Sequence, residues 1–322
     1  MKDLYQREID YMRISVTDRC NLRCKYCMPH DLSLIRHEDI LRYEEIIRIS
    51  EIAAKNGVRH LKITGGEPLA RRGCTDLIRA LKKVPGIEHV TITTNGVLLY
   101  PALPALYEAG IDGINISLDT LNPKIYEQIT GRDEFHKVWT AFEEAVGLGL
   151  KVKINCVPIQ GYNEKEYLFI AELAKNYPVD VRFIEMMPIG YGKDYSGIKG
   201  NNILTQILTV YPDLTKSGKK RGYGPASYFT GPSLKGSIGF IEAINHKFCS
   251  RCNRIRLTAD GYLKTCLYYK NSVNLKKALR DGATDKEISA LFLEALEGKP
   301  KEHHFGQQEE ETEERKMSQI GG

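Results

Sequence analysis

The chain has 322 residues, of which 42% are hydrophobic and 27% charged, and its formal net charge is +5. This length and composition are those of a globular protein with one large or two smaller domains. No stretch approaches the roughly 18 consecutive apolar residues of a membrane span. The modest charge does not by itself indicate a nucleic-acid partner. The first residues lack the basic and apolar regions of a signal peptide, so we expect a cytoplasmic protein.

Short β-rich runs alternate with amphipathic helical stretches in the first part of the chain. Strands are predicted at residues 12–16, 60–64, 89–94, 113–117, 152–157 and 179–185. Helices are predicted at residues 43–55, 75–83, 102–109, 124–129, 135–148 and 165–176. Repeated strand–helix units indicate a parallel sheet with helices outside, and these units are fewer than a closed barrel requires. We therefore predict an α/β fold in which residues 1–190 form a partial (β/α)6 barrel of the TIM type.

After residue 190 the alternation of strands and helices stops. A helix is predicted at residues 202–210, strands at 237–244, 254–258 and 262–265, and helices at 275–280 and 285–296. Residues 191–306 are therefore expected to form a smaller C-terminal α+β region. Residues 307–322 are rich in glutamates that repel one another, so we expect a flexible tail, and this tail ends in Gly321 and Gly322.

Three cysteines, Cys20, Cys24 and Cys27, follow the first predicted strand. Catalytic groups of β/α barrels gather at this end of the strands, and thiolates at this spacing suit zinc or an iron–sulfur cluster. Three protein ligands leave one coordination position open, whereas a closed structural zinc site takes four. The alternative is a structural zinc site that His30 or His37 completes.

The second predicted strand ends in the run Thr64-Gly65-Gly66-Glu67-Pro68. Two adjacent glycines allow the backbone to approach a ligand closely. The carboxylate of Glu67 can pair with an ammonium group. Tyr26 lies between two of the cysteines and can cover a bound ligand with its ring.

Cys249, Cys252 and Cys266 form a second group, which also lacks an obvious fourth ligand. A turn followed by a hairpin would bring the three thiols together. Arg254 and Arg256 are one residue apart, so in a strand both side chains point to the same face. Arginine can bind phosphate through two parallel hydrogen bonds, so a phosphate-bearing substrate is expected here. A structural zinc knot with solvated arginines is the alternative.

The first cysteine group, together with the Gly-Gly-Glu-Pro run, resembles the radical S-adenosylmethionine superfamily. The resemblance implies that Cys20, Cys24 and Cys27 hold a [4Fe–4S] cluster whose open iron binds S-adenosylmethionine. It also implies a 5'-deoxyadenosyl radical that abstracts hydrogen from a substrate, with the radical chemistry supplied by the cofactor.

Within that superfamily the chain resembles the GTP 3',8-cyclase family along nearly its whole length. The resemblance is carried by the segment from Arg13 to Pro29, the spacing of the second cysteine group, the Arg-x-Arg pair and the terminal Gly-Gly. It implies a second [4Fe–4S] cluster on the second cysteine group. It also implies cyclisation of GTP to 3',8-cyclo-7,8-dihydro-GTP, the first step of molybdenum cofactor biosynthesis.

The resemblance also implies roles for individual residues, position by position. S-adenosylmethionine is expected to contact Tyr26, Gly66, Ser117 and Met187. GTP is expected to contact Arg13, Lys62, Thr93, Lys153, Arg254 and Arg256. The residues expected to assist catalysis are Arg254, Arg256, Gly321 and Gly322, with the tail reaching toward the active site.

Two positions depart from a clean match. Lys62 stands where the family leads us to expect arginine, and lysine lacks the fork that binds phosphate through two hydrogen bonds. Lys151 is a rival for Lys153, because the two residues share one face of the predicted strand.

The resemblance implies two protein partners. These are cyclic pyranopterin monophosphate synthase, which would use the product, and an electron donor such as flavodoxin or ferredoxin. No nucleic-acid or membrane partner is expected, and the sequence leaves a homodimer open. One alternative function is that of a radical S-adenosylmethionine maturase that modifies peptides and carries an auxiliary cluster. A more remote alternative is a zinc-dependent module that binds nucleic acid.

Overall fold

The computed structural model describes residues 1–28, 34–305 and 312–321. The first part of the chain forms six parallel strands: β1 (Tyr11–Ser15), β2 (His60–Thr64), β3 (His89–Thr94), β4 (Gly113–Ser117), β5 (Val152–Cys156) and β6 (Asp180–Ile184). The helices between and after them are α1 (Tyr43–Lys55), α2 (Cys74–Leu81), α3 (Leu99–Glu108), α4 (Pro123–Thr130), α5 (Phe135–Gly147) and α6 (Tyr167–Asn176). Every boundary lies within about three residues of its prediction, as expected where hydrophobic periodicity is strong. The predicted α/β partial barrel is confirmed.

The two faces of the parallel sheet differ in polarity. Met12 and Ile14 of β1 are fully buried in the hydrophobic core, and Arg13 and Ser15 alternate with them on the other face. The polar face surrounds a cavity of about 500 Å³, whose lining includes Arg13, Lys62, Thr93, Asn115, Lys153 and Arg182. The barrel interior is therefore a polar cavity, unlike the packed layers of branched side chains in a closed barrel.

The C-terminal strands extend this sheet at both of its edges. They are β7 (Thr215–Lys216), β8 (Ser227–Thr230), β9 (Ser237–Ile241), β10 (Arg254–Leu257), β11 (Tyr262–Lys264) and β12 (Ser272–Asn274). Strand β9 pairs in parallel with β6, and β10 pairs in parallel with β1. The sheet order is β12-β11-β10-β1-β2-β3-β4-β5-β6-β9-β8-β7, so the boundary predicted at residue 190 crosses one continuous sheet. Strands β7, β8 and β12 were not predicted, because they are too short to show a periodic pattern.

The C-terminal helices are α7 (Gly200–Val210), α8 (Leu275–Arg280), α9 (Asp285–Glu297) and α10 (Met317–Ile320). Helix α9 begins with a capping box in which the Glu287 carboxylate accepts a hydrogen bond from the backbone N–H of Thr284 at 2.7 Å. Within the described ranges, no helix is both long and apolar enough to cross a membrane.

Residues 312–321 differ from the flexible tail that the sequence predicts. The ammonium group of Lys264, fully buried on β11, forms an ion pair with the buried carboxylate of Glu313. Ile320 in α10 is only 1% exposed. Repulsion among the glutamates does not keep this segment free, because a buried lysine from a distant strand compensates one of them. Residues 307–311 and Gly322, also part of the predicted tail, lie outside the described residues.

Candidate active site

The first cysteine group lies on the loop that follows β1. Cys20, Cys24 and Cys27 are half-buried, and the loop is fixed to the end of α4 by a hydrogen bond from Arg23 N–H to the Thr130 oxygen at 2.8 Å. Burial, reinforced by nearby negative groups, raises the pKa of all three thiols, that of Cys27 to about 12. The site is therefore sheltered and poor in compensating cations.

Glu67 braces the loops around this group. Its carboxylate is fully buried and accepts hydrogen bonds from Leu69 N–H at 3.0 Å, Thr94 Oγ1 at 2.8 Å and Asn95 N–H at 2.7 Å. Burial raises its pKa to about 7, although these donors oppose the shift. These three donors occupy most of the acceptor positions of the carboxylate, and the expected pairing of Glu67 with an ammonium group stays a prediction.

The Gly-Gly pair sits where the β2 loop meets the cysteine loop. A Cβ atom on Gly66 would lie 2.4 Å from the Arg19 backbone oxygen, and one on Gly65 would lie 2.7 Å from that of Thr17. Contacts this short are sterically forbidden, so only glycine allows the approach. Beside them, Tyr26 donates a hydrogen bond to Asp119 at 2.8 Å, which fixes the orientation of its ring.

The barrel cavity is strongly basic. Lys62 is 7% exposed, and burial, together with the nearby cations Arg182 and Arg13, lowers its pKa well below the usual value. Burial also lowers the pKa of Arg13 to about 10. Such a concentration of like charges is unfavourable without an anion. Arg182 was missed from the sequence, although a lone cation between Val181 and Phe183 in an apolar strand was a usable signal.

The remaining predicted residues occupy different parts of the cavity region. Thr93 accepts a hydrogen bond from Asn115 Nδ2 at 3.3 Å, and Ser117 is the last residue of β4. Lys153 points inward and pairs with Asp180 at 2.7 Å. Lys151 precedes the strand and is exposed, but it also lines the cavity.

The second cysteine group surrounds a smaller cavity of about 90 Å³, which Met187, Arg254 and Arg256 also line. Burial would raise the pKa of Cys252, but Arg254 and Lys299 outweigh it and lower that pKa to about 6. Lys299 Nζ lies 3.8 Å from Cys252 Sγ and donates to the Arg254 oxygen at 2.9 Å. Lys299 was missed, because nothing in its local sequence connects it with the distant cysteines.

The tail connects the two cysteine groups. The backbone oxygen of Gly321 accepts hydrogen bonds from Arg256 at 3.1 Å, from Arg13 at 3.3 Å and from Thr64 at 3.3 Å. The backbone N–H of Ser318 donates to the thiol of Cys27. The φ angle of Gly321 is +81°, and a Cβ there would lie 3.0 Å from Thr64 Oγ1, so glycine is required. Gly322 lies outside the described residues.

The spacing of the thiols bears on which metal they fit. A tetrahedral zinc ion at about 2.3 Å from each sulfur requires sulfur atoms about 3.8 Å apart. Within the described residues, the only three ligating groups with all atoms inside 4.8 Å are those of His60, Glu88 and His89. Neither cysteine group is drawn that closely together. Each set of three thiolates is a donor set that suits an iron–sulfur cluster.

Two known families match the two parts of the chain. Residues 14–174 match the Radical SAM superfamily, and residues 179–305 match Molybdenum Cofactor Synthesis C. The solved structure of Streptococcus suis SuiB bound to S-adenosylmethionine shares the fold with a TM-score of 0.60 at 17% identity, over 88% of this chain and 68% of that chain. Fold and cysteine spacing thus define the class, a radical S-adenosylmethionine enzyme.

Proteins named GTP 3',8-cyclase align with the chain from end to end. Those from Pelotomaculum thermopropionicum and Moorella thermoacetica are each 44% identical, and one from Clostridium perfringens is 42% identical, with 100% of both chains covered in every case. The chain belongs to the GTP 3',8-cyclase family, which confirms the resemblance drawn from its cysteine spacings. Membership implies a [4Fe–4S] cluster and S-adenosylmethionine.

Proposed function

We propose that this protein cyclises GTP to 3',8-cyclo-7,8-dihydro-GTP in molybdenum cofactor biosynthesis. The observation that carries the proposal is the basic cavity, which adjoins the second cysteine group and whose lining residue Arg13 donates to the tail carbonyl of Gly321. A polyanionic substrate would offset the mutual repulsion of Lys62, Arg13 and Arg182. The peptide-maturase alternative has less support, because the relatives that match the chain from end to end are named GTP 3',8-cyclase.

Cys20, Cys24 and Cys27 would hold the [4Fe–4S] cluster that the family implies. We propose that Cys249, Cys252 and Cys266 hold a second one. When bound, the first cluster and S-adenosylmethionine supply the 5'-deoxyadenosyl radical that takes hydrogen from C3' of GTP.

The protein's own groups would position the two small molecules. We propose that Tyr26, Gly66, Ser117 and Met187 contact S-adenosylmethionine. Because Gly66 has no side chain, its backbone can lie close to the Arg19 backbone at the start of the cysteine loop. The hydrogen bond to Asp119 holds the Tyr26 ring in place. These contacts would exclude water from the reacting groups and hold them in a fixed orientation.

GTP would lie in the barrel cavity. The residues proposed to contact it are Arg13, Lys62, Thr93, Lys153, Arg254 and Arg256, whose cations neutralise the triphosphate. The Gly321 carbonyl orients the guanidinium groups of Arg13 and Arg256, and we propose that the tail assists catalysis in this way. A catalytic role for Gly322 rests on the family resemblance alone.

The proposal is tested by isotope transfer. The holoprotein is incubated without oxygen with a reductant, S-adenosylmethionine and GTP deuterated at C3'. We expect 5'-deoxyadenosine only when GTP is present, and each molecule should carry one deuterium. GTP deuterated at C2' is the control and should transfer none. Formation of 5'-deoxyadenosine that is indifferent to GTP, or that carries no deuterium, would contradict the proposal.

We also propose that cyclic pyranopterin monophosphate synthase uses the product and that flavodoxin or ferredoxin supplies electrons. The family resemblance implies both partners: one consumes the cyclised nucleotide, and the other supplies the electron for reductive cleavage. Addition of the purified synthase should convert the product to the pyranopterin. Failure of that conversion, with cyclised product present, would contradict the partnership.

A further inference from the structure

A loop closes the barrel at the amino-terminal ends of its strands. This floor loop, residues 217–226, connects β7 and β8 at one edge of the sheet. The ring of Tyr223 stacks on His60, the first residue of β2, with ring centroids 3.4 Å apart. The Tyr223 hydroxyl lies 3.0 Å from a ring nitrogen of His89, the first residue of β3. The floor loop therefore crosses the mouth of the barrel to the opposite strands.

Two further contacts tie the floor loop to the strands that line the cavity. Lys153 donates to Asp180 at 2.7 Å and also to the backbone oxygen of Arg221. Arg221 Nη1 pairs with the other oxygen of Asp180 at 3.1 Å. Among the described residues, the buried Nε of Arg221 has no hydrogen-bond partner. Arg221 therefore keeps an unused donor beside the cavity that it lines.

The positive charge of the cavity extends to the floor loop without matching carboxylates. Lys220 lines the cavity and makes no hydrogen bond or ion pair with any described residue. The carboxylates of the lining are already engaged, Asp180 as above and Asp112 by Lys82 at 2.6 Å. Lys220 and the unused donor of Arg221 are therefore available to an anion at the floor.

The cavities set the direction in which a nucleotide would lie. Ile241 and Arg254 line both the basic cavity and the smaller cavity of the second cysteine group. With its base at the thiols of the second group, a nucleotide would send its phosphates past Arg254 into the barrel. The end of the phosphate chain then faces the floor loop.

Building on the proposed GTP cyclisation, we infer that Lys220 and Arg221 bind the terminal phosphate of the substrate. The floor loop thereby distinguishes a nucleoside triphosphate from a diphosphate. The other cavity cations meet phosphates common to both nucleotides, so they supply affinity without this discrimination.

The test is equilibrium binding of GTP and GDP to the holoprotein without oxygen. The variants are Lys220→Gln alone, Lys220→Gln with Arg221→Gln, and Lys219→Gln as the control. Lys219 is an exposed cation of the same loop outside the cavity lining. The unchanged protein should prefer GTP. The double variant should bind GTP about tenfold or more weakly, the scale of one charge-assisted hydrogen bond, with GDP affinity unchanged.

Lys220→Gln is expected to show a smaller loss of the same kind, and it disturbs no internal contact that could unfold the chain. Lys219→Gln should leave both affinities as they are. Equal losses for GTP and GDP, or no loss for either, would overturn the inference, as would equal binding of both by the unchanged protein. Failure of the unchanged protein to bind any guanine nucleotide would instead overturn the proposed function.

Discussion

The two cysteine groups have three thiols each, but the charged side chains beside them differ. At Cys24 and Cys27, burial raises the thiol pKa, and the nearby Asp119 carboxylate raises it further. At Cys252 burial acts in the same direction, but Arg254 and Lys299 overcome it and lower the pKa to about 6.

This difference shows that the neighbours of a metal site indicate its task better than its ligands do. S-adenosylmethionine carries a sulfonium and an ammonium group, so a carboxylate-bearing shelter complements it. GTP carries a polyanionic chain, and Arg254, which lines both cavities, lies where that chain would pass from the second group into the barrel. We expect the first group to serve the radical source and the second to serve the substrate.

The largest expected effect comes from removing one thiol of either group. Cys24→Ala should abolish 5'-deoxyadenosine formation, because the first cluster loses a ligand. Cys249→Ala should keep S-adenosylmethionine binding at the first cluster while losing GTP cyclisation and, with it, GTP-dependent 5'-deoxyadenosine formation. Iron analysis should give about four irons per chain in each variant, against about eight in the unchanged protein. The division of tasks fails if Cys249→Ala no longer binds S-adenosylmethionine or if Cys24→Ala still forms 5'-deoxyadenosine.

The tail that joins the two groups supplies the second test. Glu313→Gln leaves the Lys264 charge buried without its partner, which costs about 3–5 kcal/mol. We expect the tail to undock and cyclisation to fall about 100-fold, on the scale of about 1.4 kcal/mol per factor of ten. The measurement is product formation beside iron content, which should be unchanged. The control is Glu314→Gln, at an exposed position. Full activity in Glu313→Gln would show that docking is dispensable.

A smaller effect is expected from changing Arg256, which donates to the tail carbonyl of Gly321 and lines the cavity of the second cysteine group. Arg256→Ala should weaken GTP use about 10- to 100-fold, the range for losing a charged hydrogen bond, with both clusters assembled. Arg256→Lys should recover part of the loss, because lysine keeps the charge without the fork. Arg251→Ala changes an exposed arginine nearby and is the control. Loss of iron in Arg256→Ala would make this arginine structural.

The smallest effect concerns thiol reactivity in the iron-free protein. Thiolates are the reactive species, so at pH 7 iodoacetamide should label Cys252 well before Cys27. With pKa values of about 6 and about 12, the first is mostly ionised at this pH and the second is not. Labelling of Cys252 should slow as pH falls through about 6. Peptide mapping by mass spectrometry gives the rates. Arg254→Gln should slow the labelling of Cys252. Equal labelling rates for Cys252 and Cys27 would show that the charged neighbours do not distinguish the two thiols.

The barrel could be predicted from the sequence because its signals are local. Strand and helix periodicity lies within short windows, and the Gly65–Gly66 approach was visible as a run of small residues. The family resemblance predicts a tail that reaches toward the active site, but its anchoring could not be predicted, because Lys264 meets Glu313 across a long stretch of chain. The stacking of Tyr223 on His60 likewise joins distant segments.

The candidate site was predicted as a set of residues rather than as an electrostatic arrangement. Cysteine spacing and the Arg254–Arg256 pair are sequence motifs, whereas the influence of Lys299 on Cys252 is a tertiary contact. Glu67 illustrates the same limit in reverse. Its sequence context suggests a ligand contact, and it does not indicate the hydrogen bonds that Glu67 accepts from Leu69, Thr94 and Asn95.

We propose that the first cysteine group binds S-adenosylmethionine through its cluster and that the second binds GTP. The most direct test is electron paramagnetic resonance of reduced Cys24→Ala, which retains the second group alone, and of reduced Cys252→Ala, which retains the first. GTP should shift the spectrum of Cys24→Ala and leave that of Cys252→Ala unchanged. S-adenosylmethionine should shift the spectrum of Cys252→Ala and leave that of Cys24→Ala unchanged. A GTP-induced shift confined to Cys252→Ala would contradict the account.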